Sequence, residues 1–295
     1  MRFFDLNKKT WQWVILLILA FIWGSSFILM KRGLEVYSYS VVAALRISMA
    51  FLFLLPFAIK NLKKVEKKYW KYIIASGILG NGIPAFLFTK AQTEISSSLS
   101  GMLNSLTPIF ALVVGILLFK TKTEKLKIIG IFIGFIGAIG LIASNGIDIE
   151  NSKMAYGLFV VLATICYAFS VNIIKVHLKD IGSIVITSIA FISIGPLAIT
   201  YLFTTDFITI FNNNSQAGIA LFYIAILAVF GTAVAVILFN MLIKETSALF
   251  ATSVTYLIPF FAIMWGIIDG EKINTIQLFS LIITIIGIYC INKIR

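Results

Sequence analysis

Ten long apolar runs, separated by short polar segments, make up most of the chain. Each run is rich in Ile, Leu, Val, Phe, Ala and Gly and carries few or no charges. A membrane crossing takes about 20 mostly apolar residues, and a helix satisfies its own backbone groups in lipid. The pattern therefore predicts an all-α membrane protein with ten transmembrane helices. The predicted spans are residues 11–30, 39–59, 70–90, 97–119, 126–143, 154–174, 182–203, 217–239, 247–268 and 274–291.

The composition agrees with a chain whose solvent is largely lipid. Of its 295 residues, 60% are hydrophobic and only 12% are charged, whereas a soluble globular chain carries about 25% charged residues. This balance excludes an ordinary soluble domain, and the abundance of apolar residues excludes a disordered chain.

The lysines and arginines predict the orientation in the membrane. If the N-terminus lies in the cytoplasm and the helices alternate, the inside segments hold 18 Lys and Arg residues and the outside segments hold 5. Basic loops favour the cytoplasmic side, so we expect both termini there, in a multi-pass protein of the plasma (inner) membrane. The net charge of +12 then reflects lysines that face the anionic leaflet, and no nucleic-acid partner is expected.

The second half of the chain repeats the first. Residues 80–115 align without a gap on residues 231–266, at an offset of 151, with ten identities that include a proline and an acid. The first helices align more weakly at an offset of 144, which places Trp23 over Tyr167.

We predict from this repeat that residues 1–150 and 151–295 each form a five-helix unit. Because five is odd, the second unit enters the membrane from the opposite side, which makes the two units inverted repeats. Secondary transporters often use this plan, with the substrate site near the midplane where the halves meet. The alternative is a duplication that records gene history without any alternating access.

Several motifs resemble the EamA-type transporters of the drug/metabolite transporter superfamily. They are FIWGSSF at 21–27, Ala44-Leu45-Arg46, the repeated block, and Gly270-Glu271 after the ninth span. The first half departs from the pattern, since Phe119-Lys120 stands where the second half has Gly270-Glu271. The resemblance implies a ten-helix exporter or uptake carrier for small metabolites, with a central cavity lined mainly by helices 1, 3, 4, 6, 8 and 9.

Arg46 is the most costly polar group inside a predicted span, since an arginine at a helix centre costs about 2.5–3.5 kcal/mol on insertion scales. One interpretation is a contact to an anion or carboxylate. The other is a structural arginine that satisfies backbone carbonyls near the outer end of helix 2. The resemblance favours the second, because the family keeps an arginine at this place.

Prolines and glycines predict irregular backbone in three helices. Asn81 lies in Gly80-Asn81-Gly82-Ile83-Pro84, which we expect to interrupt helix 3, because freed backbone groups at membrane depth need a cavity or a protein partner. The alternative is a simple packing kink at Pro84. Comparable polar residues precede the prolines of helices 4 and 9. They are Asn104 before Pro108, and Thr255 and Tyr256 before Pro259.

Trp23 and Tyr167 occupy the same place in the two copies. Together with Phe88, Asn172 and Asn240 they predict an aromatic, moderately polar pocket that suits amphipathic organic solutes. The alternative for any single ring is core packing.

Other residues have simpler interpretations. Lys90 and Glu94 are four residues apart, which predicts either an ion pair at a helix end or a solvated helix terminus. Gly130, Gly134 and Gly137 predict a close helix-packing face in helix 5. Cys166 and Cys290 lie in apolar runs and are expected to be buried hydrophobes.

No Asp or Glu falls in the middle third of any predicted span, which favours facilitated movement or exchange over proton coupling. Coupling through groups at helix ends, such as Glu94, stays open. The single histidine, His177, lies in a basic loop and cannot form a nucleophile–base pair at membrane depth. We therefore expect no enzyme, no cofactor and no metal site.

The predicted function is a secondary transporter that moves small organic metabolites or drug-like solutes, for example amino acids, across the plasma membrane by alternating access. Export is the expected direction. The alternative is a membrane channel or scaffold without alternating access. The expected partners are the small-molecule solute and the lipid bilayer, with the chain as a monomer or homodimer.

Overall fold

A computed structural model describes residues 8–121, 123–144 and 153–293. Within them helices are joined by short turns and, at residues 203–216, by a longer segment that contains the short helix Phe207–Asn213, without any strand. Nine of the helices in these residues are long and apolar enough to cross a membrane, and the described apolar part of the last helix is shorter. The prediction of an all-α membrane protein is confirmed. The ten long helices, α1 to α10, are Lys9–Leu34, Tyr39–Asn61, Lys67–Ala91, Ser97–Phe119, Lys125–Ala143, Lys153–His177, Ser183–Leu202, Ala217–Glu245, Ala248–Ile268 and Thr275–Lys293.

The predicted boundaries agree within a few residues except at two helix ends, where polar contacts extend the helix. The predicted span ends at residue 30, but α1 runs to Leu34, and Lys31 and Arg32 in its last turn both form ion pairs with Asp269. The prediction stopped α8 at residue 239, but the helix runs to Glu245, and Lys244 Nζ donates a hydrogen bond of 2.6 Å to the carbonyl oxygen of Ile181. Hydropathy identifies where charged residues begin, whereas the helical backbone hydrogen bonds continue past those residues.

Successive helices alternate in direction, as contacts at both ends of the bundle show. At one end Trp13, at the start of α1, packs edge-on against Phe250 at the start of α9, with ring centroids 5.6 Å apart. At the other end the Tyr37 hydroxyl donates a hydrogen bond of 3.1 Å to the carbonyl oxygen of Ala217 at the start of α8. The segments that connect the helices define the two ends of the bundle. The basic end holds residues 62–66, 120–121, 123–124, 178–182 and 246–247, and the opposite end holds residues 35–38, 92–96, 203–216 and 269–274.

The backbones of α3 and α8 widen at corresponding places. Residues Ile78–Gly82 of α3 and Leu227–Val234 of α8 are π-helical. The regular α-helix is thus interrupted around Asn81, as expected, and the interruption is a π segment that continues into the α-helical turn at Pro84. Such π segments leave backbone groups without their regular helical partners and often occur at functional sites.

The helices α4 and α9 are both broken before a proline. In α4 the regular helix stops at Asn104 and resumes at Thr107, and in α9 the residues Ser253–Tyr256 form a 3-10 turn before the helix resumes at Ile258. Pro108 and Pro259 lie in the first turn of the resumed helices, where proline is well tolerated because that N–H has no intrahelical partner.

The glycines of α5 form the predicted close-packing face, which is confirmed. A Cβ at Gly130 would lie 2.5 Å from the carbonyl oxygen of Gly287 in α10, and a Cβ at Gly287 would lie 2.5 Å from the backbone nitrogen of Gly134. The two helices approach so closely that only glycine fits at their crossing.

The predicted ion pair between Lys90 and Glu94 is wrong. The Lys90 ammonium lies 4.6 Å from the ring centroid of Tyr39 and 5.5 Å from that of Tyr156. Two aromatic faces near the end of α3 thus hold this cation, and such contacts need no carboxylate.

Candidate functional site

A cavity lies at the centre of the bundle, and the empty space around its lining atoms is about 940 Å³ when the part open to solvent is included. It is bounded by α1 to α4 and by α6 to α9, so α2 and α7 contribute in addition to the six helices that the resemblance implied. The lining residues are Trp23, Ser26, Phe27, Met30, Arg46, Ser76, Gly80, Asn81, Phe88, Asn104, Thr107, Tyr167, Ser170, Val171, Ile174, Ile186, Thr187, Ala190, Gly231, Val236, Phe239, Asn240 and Thr255.

Sixteen of these lining residues form eight pairs related by the two offsets of the sequence repeat. The pair Trp23 and Tyr167 is one example, and Arg46 pairs with Ala190 in the same way. The pairs at an offset of 144 are 23/167, 26/170, 27/171, 30/174 and 46/190, and those at an offset of 151 are 80/231, 88/239 and 104/255. The repeat that is visible in the sequence thus recurs in the wall of the cavity.

Two glycines let helices approach one another at the π segments. A Cβ at Gly231 in α8 would lie 2.6 Å from Ser26 Oγ in α1, and a Cβ at Gly80 in α3 would lie 2.5 Å from Ser170 Oγ in α6. Both pairs of residues are related by the repeat, so the same close contact is made twice. The Trp23 indole N–H also donates a hydrogen bond of 2.9 Å to the carbonyl oxygen of Gly231, which fixes the ring in the cavity wall.

Aromatic rings form much of the wall. The rings of Phe27 and Phe88 have centroids 5.8 Å apart, and Phe88 stacks on Tyr167 at 5.9 Å. On another side Trp23 meets Phe239 edge-on at 5.0 Å. These are the separations preferred by aromatic pairs, so the cavity has a rigid, largely apolar lining.

Arg46 supplies the single positive charge among the described residues that line the cavity. Its Nε donates a hydrogen bond of 2.7 Å to Thr232 Oγ1 in the π segment of α8, and the Thr232 hydroxyl in turn donates to the carbonyl oxygen of Leu227. This hydrogen bond goes to a side chain and not to a backbone carbonyl, and the role of Arg46 as a structural arginine or an anion contact stays a prediction.

Three amides complete the polar part of the wall. Asn240 donates a hydrogen bond of 2.9 Å to Thr187 Oγ1, and Thr107 donates to the carbonyl oxygen of Asn104 at 2.8 Å and to its Oδ1 at 3.4 Å. The side chain of Asn81 makes no hydrogen bond to another described residue, so its amide is available to a bound molecule.

The cavity unites most of the residues that the sequence singled out. Eight of them line it, and their role in binding stays a prediction. These eight are Trp23, Arg46, Asn81, Phe88, Asn104, Tyr167, Asn240 and Thr255. The three prolines lie outside the lining, where Pro84 follows the π segment of α3 and Pro108 and Pro259 follow the breaks in α4 and α9.

Asn172 and Tyr256 do not line the cavity, and a binding role for them stays a prediction that the cavity does not support. Asn172 Nδ2 donates hydrogen bonds of 2.9 Å to the carbonyl oxygens of Ala111 and Ala168. It follows Tyr167 by five residues, which turns it about 140° away around the helix, toward α4. Tyr256 packs against the hydrophobic core instead.

Sequence reasoning missed several lining residues that a helical spacing would have found. Ser26, Phe27 and Met30 follow Trp23 at intervals of three, four and seven residues, and Ser170, Val171 and Ile174 follow Tyr167 in the same way. Residues at these intervals share one helix face. The two predicted aromatics were thus enough to identify both faces.

A charged network lies outside the cavity, at the opposite end of the bundle. Lys31 Nζ contacts Asp269 at 2.5 Å and Glu271 at 3.0 Å, and Arg32 pairs with Asp269 and with Glu35. This network joins the end of α1 to the turn between α9 and α10.

The Glu271 carboxylate also caps the start of α4. It accepts hydrogen bonds from the backbone N–H and the hydroxyl of both Ser97 and Ser98, at 2.6 to 3.0 Å. Burial would raise the pKa of the Glu271 carboxyl, but the hydrogen bonds from Ser98, Ser97 and Lys31 outweigh it and lower the pKa to about 2, from 4.5. The carboxylate is therefore charged at any physiological pH.

Comparison with known families identifies two matching segments. The model of the EamA-like transporter family matches residues 10–143 and again residues 154–293.

Individual relatives agree with that family. A protein named as an uncharacterized transporter of Archaeoglobus fulgidus is 25% identical over 61% of this chain, and the chain spans 63% of the length of that relative. The inner membrane transporter YedA of Escherichia coli K12, also named as uncharacterized, is 24% identical over 94% of this chain and 89% of its own length. A crystal structure shares the fold with a TM-score of 0.65, over 95% of this chain and 96% of the other, at 10% identity.

Proposed function

The chain belongs to the EamA-like transporter family, and on this premise we propose that it moves small organic solutes across the plasma membrane by alternating access. Membership in this family identifies the chain as a multi-pass membrane transporter. The proposal covers three points beyond family membership. They are alternating access as the mechanism, the central cavity as the solute site, and export of small metabolites or drug-like solutes as the direction of transport.

The observation that carries this proposal is the cavity wall built from eight repeat-related pairs. Two similar five-helix units that face one another in opposite senses can exchange conformations, and the exchange turns an opening on one side into an opening on the other. A solute held between such units is exposed to each side in turn. The division into residues 1–150 and 151–295 and the inversion of the second unit are part of the proposal.

The irregular helices supply places where such a change can occur. The π segments of α3 and α8 and the breaks of α4 and α9 lie in the cavity wall or next to it, at corresponding positions of the two units. A π segment or a helix break already lacks regular α-helical hydrogen bonds. Backbone angles can therefore change there without breaking such bonds.

Different polar contacts hold the two ends of the bundle. At the opposite end Lys31 binds Asp269 and Glu271. At the basic end Lys175, which is related to Lys31 by the offset of 144, donates to the carbonyl oxygens of Ile243, Lys244 and Thr246. We propose that these two sets of contacts open in alternation.

The proposal is tested with purified protein in liposomes and a panel of labelled amino acids, organic acids and amphipathic cations. We expect saturable flux of at least one solute. The variants Trp23→Ala and Asn81→Ala are expected to abolish the saturable part, because both side chains line the cavity.

The matched controls are Trp13→Ala and Asn213→Ala, which change exposed residues outside the cavity. We expect both controls to carry solute as the native chain does. Flux that does not saturate, and that all four variants leave unchanged, would favour the channel or scaffold and contradict a carrier. Liposomes of known orientation compare efflux with uptake and so test the proposed direction.

A further inference from the structure

We propose that the cavity selects organic anions, with the carboxylate of an apolar or aromatic solute bound to Arg46 and the body of the solute held between the aromatic rings. The inference rests on the proposed function and names the substrate class of the same site. It combines the charge balance of the cavity, the geometry of Arg46 and the chemistry of the surrounding wall.

Arg46 stays protonated in proteins, and it lies seven residues into α2, about 10 Å along the helix axis. No Asp or Glu lies among the described residues of the cavity wall. Tyr167 also lines the cavity, and a phenol is neutral at physiological pH. A buried charge is unfavourable unless it is paired, so the wall provides a cation and leaves its counter-charge to a ligand.

The hydrogen bonds of Arg46 leave its bidentate edge available. Nε is used by Thr232, and Thr232 is itself held by its hydrogen bond to Leu227. The two terminal nitrogens of Arg46 make no hydrogen bond to any other described residue, and the side chain lines the cavity. A guanidinium with its Nε fixed presents the remaining N–H groups as a planar fork, which matches a carboxylate.

The rest of the wall fits an apolar or aromatic body. The rings of Phe27, Phe88 and Tyr167 form one continuous series, and Trp23 and Phe239 form another. Aromatic faces also attract cations, but a cation in this cavity would meet the uncompensated charge of Arg46 in a medium of low dielectric constant. The combination therefore favours anions and disfavours the amphipathic cations that an aromatic cavity alone would accept.

The test uses three nearly isosteric probes, namely 3-phenylpropionate, 3-phenylpropanamide and 3-phenylpropylamine, which are anionic, neutral and cationic. Binding to the full chain in lipid nanodiscs is measured by calorimetry. We expect 3-phenylpropionate to bind at least tenfold more tightly than the amide, and the amine to bind more weakly still. A tenfold ratio corresponds to about 1.4 kcal/mol.

Variants locate the preference on one side chain. Arg46→Gln is expected to bring the affinities for the propionate and the amide within about twofold, because the charge is lost while a hydrogen-bonding side chain remains. Arg46→Lys is expected to keep part of the preference, since it keeps the charge without the fork. Arg32→Gln is the control, because Arg32 lies in the network at the opposite end. We expect this variant to prefer the propionate over the amide by the same ratio as the native chain.

The native chain alone can overturn the inference, whether or not Arg46→Gln folds. Equal affinity of the native chain for the three probes, or an unchanged preference in a monodisperse Arg46→Gln variant, contradicts the selection of anions. If the amide or the amine binds at least as tightly as the propionate and Trp23→Ala abolishes that binding, the anion inference fails while the transport proposal stands. If no probe binds and no solute of the transport panel is carried saturably, both proposals fail.

Discussion

Glu271 joins three parts of the molecule through a single carboxylate. It lies in the turn between α9 and α10, binds Lys31 at the end of α1, and accepts four hydrogen bonds from Ser97 and Ser98 at the start of α4. An anion at the first turn of a helix is favoured by the helix dipole and by the free N–H groups there. The side chain is 6% exposed, so these contacts are formed largely away from water.

The Glu271→Gln variant is expected to lower stability by about 1.5–3 kcal/mol at neutral pH, the usual worth of hydrogen bonds to a charged group. Because folding lowers the pKa of the Glu271 carboxyl from 4.5 to about 2, this stabilisation is complete above pH 4.5 and is lost as the pH falls toward 2. The midpoint of thermal unfolding in detergent, measured between pH 7 and pH 3, should differ most between the two proteins at pH 7. Glu66→Gln is the control, since Glu66 is 66% exposed and its replacement should change little.

Single residues also show where sequence reasoning succeeds. Trp23 and Tyr167 were found because the repeat places them at corresponding positions, and repetition distinguishes them from ordinary core aromatics. The partner of Arg46 could not be found in this way, because Thr232 is 186 residues away and its hydroxyl is available only where the π segment of α8 presents it. The polarity of Asn172 does not reveal its angle around α6, which turns its amide toward the carbonyl oxygens of Ala111 and Ala168.

Among the elements, α5 and α10 form a pair that stands apart from the cavity. The backbones approach at Gly130, Gly134 and Gly287, and at each of these places an added Cβ would meet an atom of a neighbouring residue. In lipid, close packing of this kind replaces the hydrophobic driving force as the main source of helix association.

The variant Gly287→Ala is expected to destabilise the protein by about 1–3 kcal/mol, the usual cost of overpacking, since its Cβ would lie 2.5 Å from one backbone atom and 2.7 Å from another. Gly218→Ala is the matched control, because nothing lies within 4 Å of its added Cβ. Thermal unfolding in detergent compares the two variants. Equal midpoints would show that α5 and α10 tolerate separation at this crossing.

The sequence predicts the existence of all ten helices better than their internal geometry. Length and hydropathy are properties of each run by itself, and they place the helices within a few residues. The widening of α3 at Ile78–Gly82 is different, because Gly80, Asn81 and Gly82 are compatible with a break, a kink or a π segment. Contact with Ser170 at Gly80 belongs to the tertiary structure, which the local sequence does not contain.

At the scale of the whole molecule, the charges at the two ends of the bundle differ. The basic end carries most of the lysines, whereas the opposite end carries the network around Asp269 and Glu271. The proposed orientation puts the basic end in the cytoplasm, since basic loops are retained there. Helix alternation is seen in the contacts, but the side of the membrane on which each end lies is a proposal.

Cysteine labelling tests this orientation. In a chain with Cys166 and Cys290 replaced by Ser, Asn213→Cys is exposed at the opposite end and Lys63→Cys is exposed at the basic end. A membrane-impermeant maleimide added to intact cells should label Asn213→Cys alone, and Lys63→Cys only after the cells are permeabilised. The reverse pattern would invert the proposed topology.

The two units contribute unequal charge to the central cavity, because Arg46 stands at a position whose repeat-related counterpart is Ala190. For a carrier without a coupled ion, the product of the equilibrium constants around the full transport cycle must equal one, because no step supplies free energy. A lower half-saturation concentration on one face of the membrane must then be offset by a slower or less populated return. Such a carrier works with different kinetics in its two directions, yet only the concentration gradient decides which way material accumulates.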